Sequence, residues 1–204
     1  GSGGVLGNRT ATVDVYDAVD PGAFTRGSMS GVVIDWLGTQ FIGSTGADVI
    51  NEIEKDGAHA MLFAGSTTGA WGGAQVGNGD AVFGRYDRTG LVTFVTHVGS
   101  TANDAATGVH VKGINYFIVG TTQGVFPNSG ATNQGGNDGW LEKRDAGNGN
   151  RVWTVQFGSS EDDVPTDVVV DSANNVFVVG HSDNTWDGEE KIGGYSIFVT
   201  KYSS

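Results

Sequence analysis

The 204-residue chain has no cysteine, only 3 prolines, and 11 lysines plus arginines. Each shortage removes a class of chemistry. Without thiols there is no disulfide framework, no thiolate nucleophile, and no cysteine-held zinc or iron–sulfur cluster. The few basic residues face 23 aspartates plus glutamates, giving a formal net charge of −12. That balance repels phosphate backbones and anionic headgroups, so no nucleic-acid partner is expected. No apolar run approaches the length needed to cross a bilayer, so membrane insertion is not expected either. Recognisable catalytic motifs are also missing. There is no G-x-S-x-G elbow, and His59, His97, His110 and His181 form no close pair. Gly77-Asn78-Gly79 and Gly135-Gly136-Asn137 lack the helix that a phosphate loop requires and read as turns.

What the chain does have is glycine, 35 residues of it, set among short clusters of β-branched and aromatic residues. Such a composition predicts many short strands joined by tight turns. The clusters recur with a period of about 58 residues. A Gly-Ser pair followed by an aspartate appears at Gly43-Ser44 and Asp48, at Gly99-Ser100 and Asp104, and at Gly158-Ser159 and Asp163. A second anchor ends in Gly65, Gly120 and Gly180, after Met61-Leu62-Phe63-Ala64, Tyr116-Phe117-Ile118-Val119 and Val176-Phe177-Val178-Val179. A third begins at Asp80, Asp138 and Ser196.

Four strand-like runs fit within one period, for example Ala81–Tyr86, Leu91–Val98, Thr107–Val111 and Tyr116–Val119. Four strands in a repeat of this length is the pattern of a β-propeller blade. One twisted sheet cannot bury both faces alone, so neighbouring blades must stack, and runs such as Val168-Val169-Val170 are accordingly apolar on both faces. A right-handed β-helix has shorter rungs and does not need four separate apolar runs per period.

The third copy carries a specific likeness. Val152-Trp153-Thr154-Val155-Gln156-Phe157-Gly158 is followed by Asp167-Val168-Val169-Val170-Asp171 and Asn175-Val176-Phe177-Val178-Val179-Gly180, then by Ile197-Phe198-Val199-Thr200-Lys201-Tyr202. This succession resembles the bacterial seven-bladed β-propeller (SBBP) repeat. The likeness is strongest in the third copy. Phe94 stands where the family pattern has tryptophan, and Asn174 where glycine is usual. The expected fold is therefore all-β, with three four-stranded blades and an extra strand in an open or partial propeller. Residues 1–38 are read as an N-terminal strand (Thr12–Asp17) with an atypical insertion or cap, and residues 39–95, 96–154 and 155–204 as the three repeats. Three blades leave two apolar faces open. Closure is expected either by dimerisation or by the rest of a larger chain.

Two residue series are functional candidates. An aromatic lies six positions beyond each second-anchor glycine: Trp71, Phe126 and Trp186. On a loop rim these rings would stack on a glycan or clasp a protein partner; as packing residues they would instead plug the space between blades. The acidic residues Asp162, Asp163, Asp183 and Asp187 could offer oxygen ligands to calcium, although they do not follow the D-x-D-x-D-G spacing. The alternative for the repeated aspartates is that each accepts backbone N–H bonds in its own turn. No other cofactor is expected. Asn8-Arg9-Thr10 is an N-x-S/T sequon.

From composition and the family likeness together, the expectation is a non-catalytic binding or scaffolding module. It would belong to a surface-displayed or secreted protein and act in adhesion or assembly. A polysaccharide-acting hydrolase or lyase is one alternative, distinguished by two carboxylates from different repeats meeting in one pocket. A structural subunit of a larger complex is the other.

Overall fold

The computed structural model describes residue 39 and residues 41–57, 60–186 and 188–203. Chain contacts separate Gly1–Thr39 from Gln40–Ser204, and the architecture below is that of the second unit. The strand expected at residues 12–17, the cap, the sequon at Asn8, His59 and Asp187 lie outside the described residues.

The described residues form eleven strands and no helix. β1 (Asp48–Asp56), β2 (Ala60–Thr67), β3 (Asp80–Tyr86) and β4 (Val92–Val98) make the first sheet. β5 (Asp104–Lys112), β6 (Asn115–Thr122), β7 (Asp138–Asp145) and β8 (Arg151–Phe157) make the second. β9 (Asp163–Val170), β10 (Asn175–Ser182) and β11 (Ser196–Ser203) make the third. Every pairing is antiparallel between consecutive strands, and no sheet closes into a barrel. This is the all-β, partial-propeller architecture that the repeat implies.

The phase of the repeat differs from a count begun at Ala81. Ala81–Tyr86 and Leu91–Val98 fall in the first sheet, while Thr107–Val111 and Tyr116–Val119 belong to the second. The chain leaves one sheet for the next at the Gly-Ser-to-Asp anchor. There the Ser44 amide donates to Asp48 Oδ2 at 2.7 Å, and the Ser100 amide to Asp104 Oδ2 at 2.8 Å. Ser159 makes the same bond to Asp163. Periodicity reveals the length of a blade but not where it is cut.

The second-anchor glycines have a packing reason. A Cβ at Gly65 would lie 1.9 Å from the Val49 carbonyl oxygen, at Gly120 1.9 Å from that of Ala105, and at Gly180 2.2 Å from that of Val164. In each sheet the register between the first two strands shifts beside this glycine, so a bulged first strand crosses the place where a side chain would be.

The sheets stack in chain order, with β5 against β1, β2 and β3, and β9 against β5, β6 and β7. In the first seam Leu62, Ala64 and Phe83 pack with Val109, Ile118 and Trp140, all buried. In the second, Phe117, Val119 and Leu141 meet Val168, Val176 and Val178. Each large apolar side chain removed from water here stabilises the stack by about 1.5–3 kcal/mol. Polar bonds repeat across the seams as well. Asn51 Nδ2 donates to the Ala106 carbonyl at 2.7 Å, and Thr107 Oγ1, at the matching repeat position, donates to the Pro165 carbonyl at 2.6 Å.

Candidate functional site

Each member of the aromatic series stacks on another ring. The Trp71 ring stacks on Phe63 at 5.2 Å, Phe126 on Trp140 at 4.4 Å, and Trp186 on Phe157 at 5.4 Å. Trp71 and Phe126 are buried, and Trp186 is half-buried. Trp71 and Phe126, buried and stacked, offer no free face to a sugar and have the packing placement, while Trp186 is packed on Phe157 and stays partly exposed. Trp71 and Phe126 stack on rings of their own sheets, whereas Trp186 reaches across the seam to Phe157 of β8 and meets Phe198 of its own sheet edge-on at 5.5 Å. In the first two sheets the loop that carries the aromatic is fastened by a polar side chain from the fourth strand. His97 reaches the Trp71 carbonyl through Nε2 and Asp80 Oδ2 through Nδ1, both at 2.7 Å. In the second sheet Gln156 stands in the matching position. Its Oε1 accepts from the Phe126 amide at 2.7 Å, and its Nε2 donates to Asp138 Oδ2 at 2.8 Å and to the Gly124 carbonyl at 3.0 Å.

The repeated aspartates serve their turns. Hydrogen bonds from the Thr67 hydroxyl and from Ser44 outweigh partial desolvation and hold the Asp48 carboxyl below its usual range. Desolvation outweighs the bonds from Thr122 and Ser100 at Asp104, whose carboxyl is pushed up. Asp138 is also raised, chiefly by burial and further by the nearby charge of Asp163, against the lowering bonds from Gln134 and Gln156.

Of the acids considered for calcium, Asp162 Oδ1 accepts from the Asn137 amide at 2.7 Å and from its side chain at 2.9 Å. Asp163 accepts from the Ser159 amide and hydroxyl, and the Asp183 amide donates to the Asp162 carbonyl at 2.9 Å. Among the described residues no three His, Cys, Asp or Glu side chains assemble as a metal-binding group.

The first strands of the sheets hold a cluster that sequence motifs do not flag. Glu52 Oε2 accepts from the Val109 amide at 2.7 Å, and Glu54 Oε2 accepts from the Val111 amide at 2.6 Å. Glu54 also pairs with His110 Nδ1 at 3.1 Å. Asp167 comes from the third sheet. A Cβ at Gly108 would lie 3.1 Å from the Asp167 Cα and 3.2 Å from Glu52 Oε2. Burial pushes the Glu52 and Glu54 carboxyls up, and the charge of Asp167 adds to both shifts. The signal was present in the repeat, since Glu52, Gly108 and Asp167 occupy one position of it. Chemically, the two glutamates act as side-chain acceptors for edge amides of β5, which ties down an oxygen of each.

Among the described residues, the outer face of the third sheet departs from a closed stack. The side chains matching Leu62, Ala64, Ala81 and Phe83 of the first sheet, and Phe117, Val119, Gly139 and Leu141 of the second, are Phe177, Val179, Ile197 and Val199. The first two sets are buried against the next sheet. In the third, Ile197 is 87% and Val199 67% exposed, and Val169 beside Phe177 is 48% exposed. Lys201 lies over the Phe177 ring at 5.7 Å.

Comparison with known families agrees with this architecture. Residues 152–185 match the model of the SBBP beta-propeller repeat, a span that begins in β8, crosses β9 and β10, and ends in the loop that follows. No curated protein sequence matches the chain.

Proposed function

We propose that this chain is a non-catalytic binding and scaffolding module of a surface-displayed or secreted protein, assembling through the outer face of its third sheet. The observation that carries the reading is the exposure of Val169, Ile197 and Val199 on the face that the first two sheets bury. Contiguous exposed apolar surface of this kind marks an interaction site. The first two sheets bury this face against a further copy of the same repeat, so the occupant proposed is a second copy of the chain. The burial of the Trp71 and Phe126 rings favours protein assembly over stacking on a glycan. Extracellular placement rests on composition: acidic, cysteine-free and rich in glycine. The non-catalytic reading is supported by Glu52 and Glu54, whose carboxylates bond backbone amides.

Sedimentation velocity tests the proposal. The chain should dimerise with rising concentration, and Val169→Glu, which places a charge on the open face at an already exposed site, should return it to monomer with its thermal midpoint nearly unchanged. A chain that stays monomeric throughout would overturn assembly between copies.

A further inference from the structure

At both seams the first residue of a third strand lies beside the first residue of the next sheet. The pairs are Asp80 of β3 with Asp104 of β5, and Asp138 of β7 with Asp163 of β9. All four aspartates are buried. The backbone joins each pair alike, since the Asp104 amide donates to the Gly79 carbonyl at 2.9 Å and the Asp163 amide to the Asn137 carbonyl at 2.7 Å.

The side chains are not served alike. In the first seam Asp80 Oδ1 accepts from the Gly77 amide at 2.7 Å. Its Oδ2 accepts from the Val76 amide at 2.8 Å and pairs at 2.7 Å with the His97 imidazole, a group able to carry positive charge. In the second seam neutral Gln156 takes the place of that imidazole. The Gln134 amide and the Gln156 side chain both bond Asp138 Oδ2, and Oδ1 is left without a hydrogen bond. The Gly135 amide, counterpart of Gly77, favours the charge on Asp138 without completing a bond to Oδ1. Asp163 is short in the same way. Ser159 bonds only its Oδ2. Ser182 stands where Thr67 bonds Asp48 and Thr122 bonds Asp104, but it turns its hydroxyl to the Asn184 carbonyl at 2.6 Å, so Asp163 Oδ1 has no partner.

Both carboxylates border the space above Gly158. A Cβ there would lie 2.8 Å from Asp163 Oδ2 and 2.9 Å from Asp138 Oδ1, whereas the atoms nearest a Cβ at Gly99, the matching residue, all belong to Asp104. Gly158 itself is partly exposed, which leaves a route from solvent. Two buried carboxylates, each with an orphaned oxygen and neither in an ion pair among the described residues, call for a counter-charge.

We propose that Asp138 and Asp163 hold a divalent cation of calcium's type, which bridges β7 of the second sheet to β9 of the third. Such an ion takes oxygen ligands, here Oδ1 of each aspartate, with solvent entering beside Gly158 to complete its shell. Its charge offsets both carboxylates. A proton would neutralise one of them, and a water molecule neither. Of the four acids that the sequence offers for calcium, only Asp163 takes part. Neither member of the pair belongs to the open face assigned to assembly, so each proposal can fail without the other.

Calcium chloride titrated into the chelator-treated, isotope-labelled chain at neutral pH, and followed by amide NMR signals, tests the site. Saturable shifts should centre on Gln134, Asp138, Ser159 and Asp163, with half-saturation below about 1 mM. Magnesium, which gives up its waters reluctantly, should bind at least about tenfold more weakly. Asp138→Asn removes one charged ligand, and Gln156→His installs the first seam's imidazole beside Asp138. Each should weaken calcium binding by about tenfold or more, with melts in chelator showing that both variants fold. Calcium should also raise the thermal midpoint of the wild type and leave that of Asp138→Asn unmoved. No saturable shift up to that concentration, shifts centred on Glu52, Glu54 and Asp167, or an undiminished response in both variants would each overturn the proposal. A midpoint that rises on acidification in chelator but not on addition of calcium would assign the counter-charge to a proton and overturn it as well.

Discussion

The second and third sheets are built from the same repeat but differ on two surfaces. The second sheet is covered on both faces, and β8 runs along its outer edge. Trp140 and Leu141 are fully buried there, and even the Glu142 carboxylate is buried, bonded by the Thr154 hydroxyl at 2.9 Å and by Arg144. The third sheet presents Phe198, Val199 and Thr200 at those positions, half-buried or exposed. Neighbours, more than intrinsic strand preference, therefore decide how much each copy of the repeat contributes to stability.

The largest effect that would sharpen this contrast comes from the aromatic series. Phe126→Ala removes a ring that is 1% exposed and stacked on Trp140, and should cost about 3–5 kcal/mol. Trp186→Ala removes a larger ring from a half-buried place between the second and third sheets, and should cost no more than about half as much. Urea unfolding of both variants measures the difference. Equal losses, or the reverse order, would mean that the seam between the second and third sheets is as firmly packed as the interior of the second.

Much of this was legible in the sequence because it repeats. The period, the strand-rich composition and the anchor glycines point to stacked sheets, and Gly65, Gly120 and Gly180 mark the bulges directly. The place where one sheet ends was hidden, since hydrogen-bond partners decide it and the apolar pattern runs through the boundary without a break. The rings of Trp71, Phe126 and Trp186 stood out as a series, yet spacing alone could not say which way their loops fold. Glu52 and Asp167 share a repeat position, but the copy between them has Gly108 there and no catalytic or metal motif surrounds them, so the position did not stand out. Their meeting depends on first strands lying side by side, a contact between residues more than fifty positions apart.

A second, smaller contrast lies between the two seams. Asp138 has its carboxyl raised by burial and by Asp163. A carboxyl raised in the folded state contributes stability that is fully present below its ordinary value near 3.8, and that contribution is lost as pH rises through the folded value. The wild type should therefore lose stability relative to Asp138→Asn as pH rises from about 4 to 7. Taking the difference between the two proteins removes the opposite trend from Asp87 and Asp171, whose carboxyls are lowered chiefly by bonds from Thr89 and Asn175. Parallel pH profiles for the two proteins would show that the charge of Asp138 is already balanced in the second seam.

The smallest expected effect tests whether the two fastenings are interchangeable. His97 and Gln156 occupy the same repeat position, and each bridges a buried aspartate to the loop that carries the aromatic. They differ in detail, because the imidazole reaches a carbonyl whereas the amide both accepts from Phe126 and donates to Gly124. His97→Gln keeps a donor for Asp80 and a second polar atom for the loop, so it should change stability by less than about 1 kcal/mol. His97→Leu keeps the bulk but leaves Asp80 Oδ2 and the Trp71 carbonyl short of a partner, and should cost about 1–3 kcal/mol. Thermal melts of the pair separate the two ideas. If glutamine proves as damaging as leucine, the first sheet depends on the shape of the imidazole ring, and the fastening is particular to that sheet instead of a device common to both.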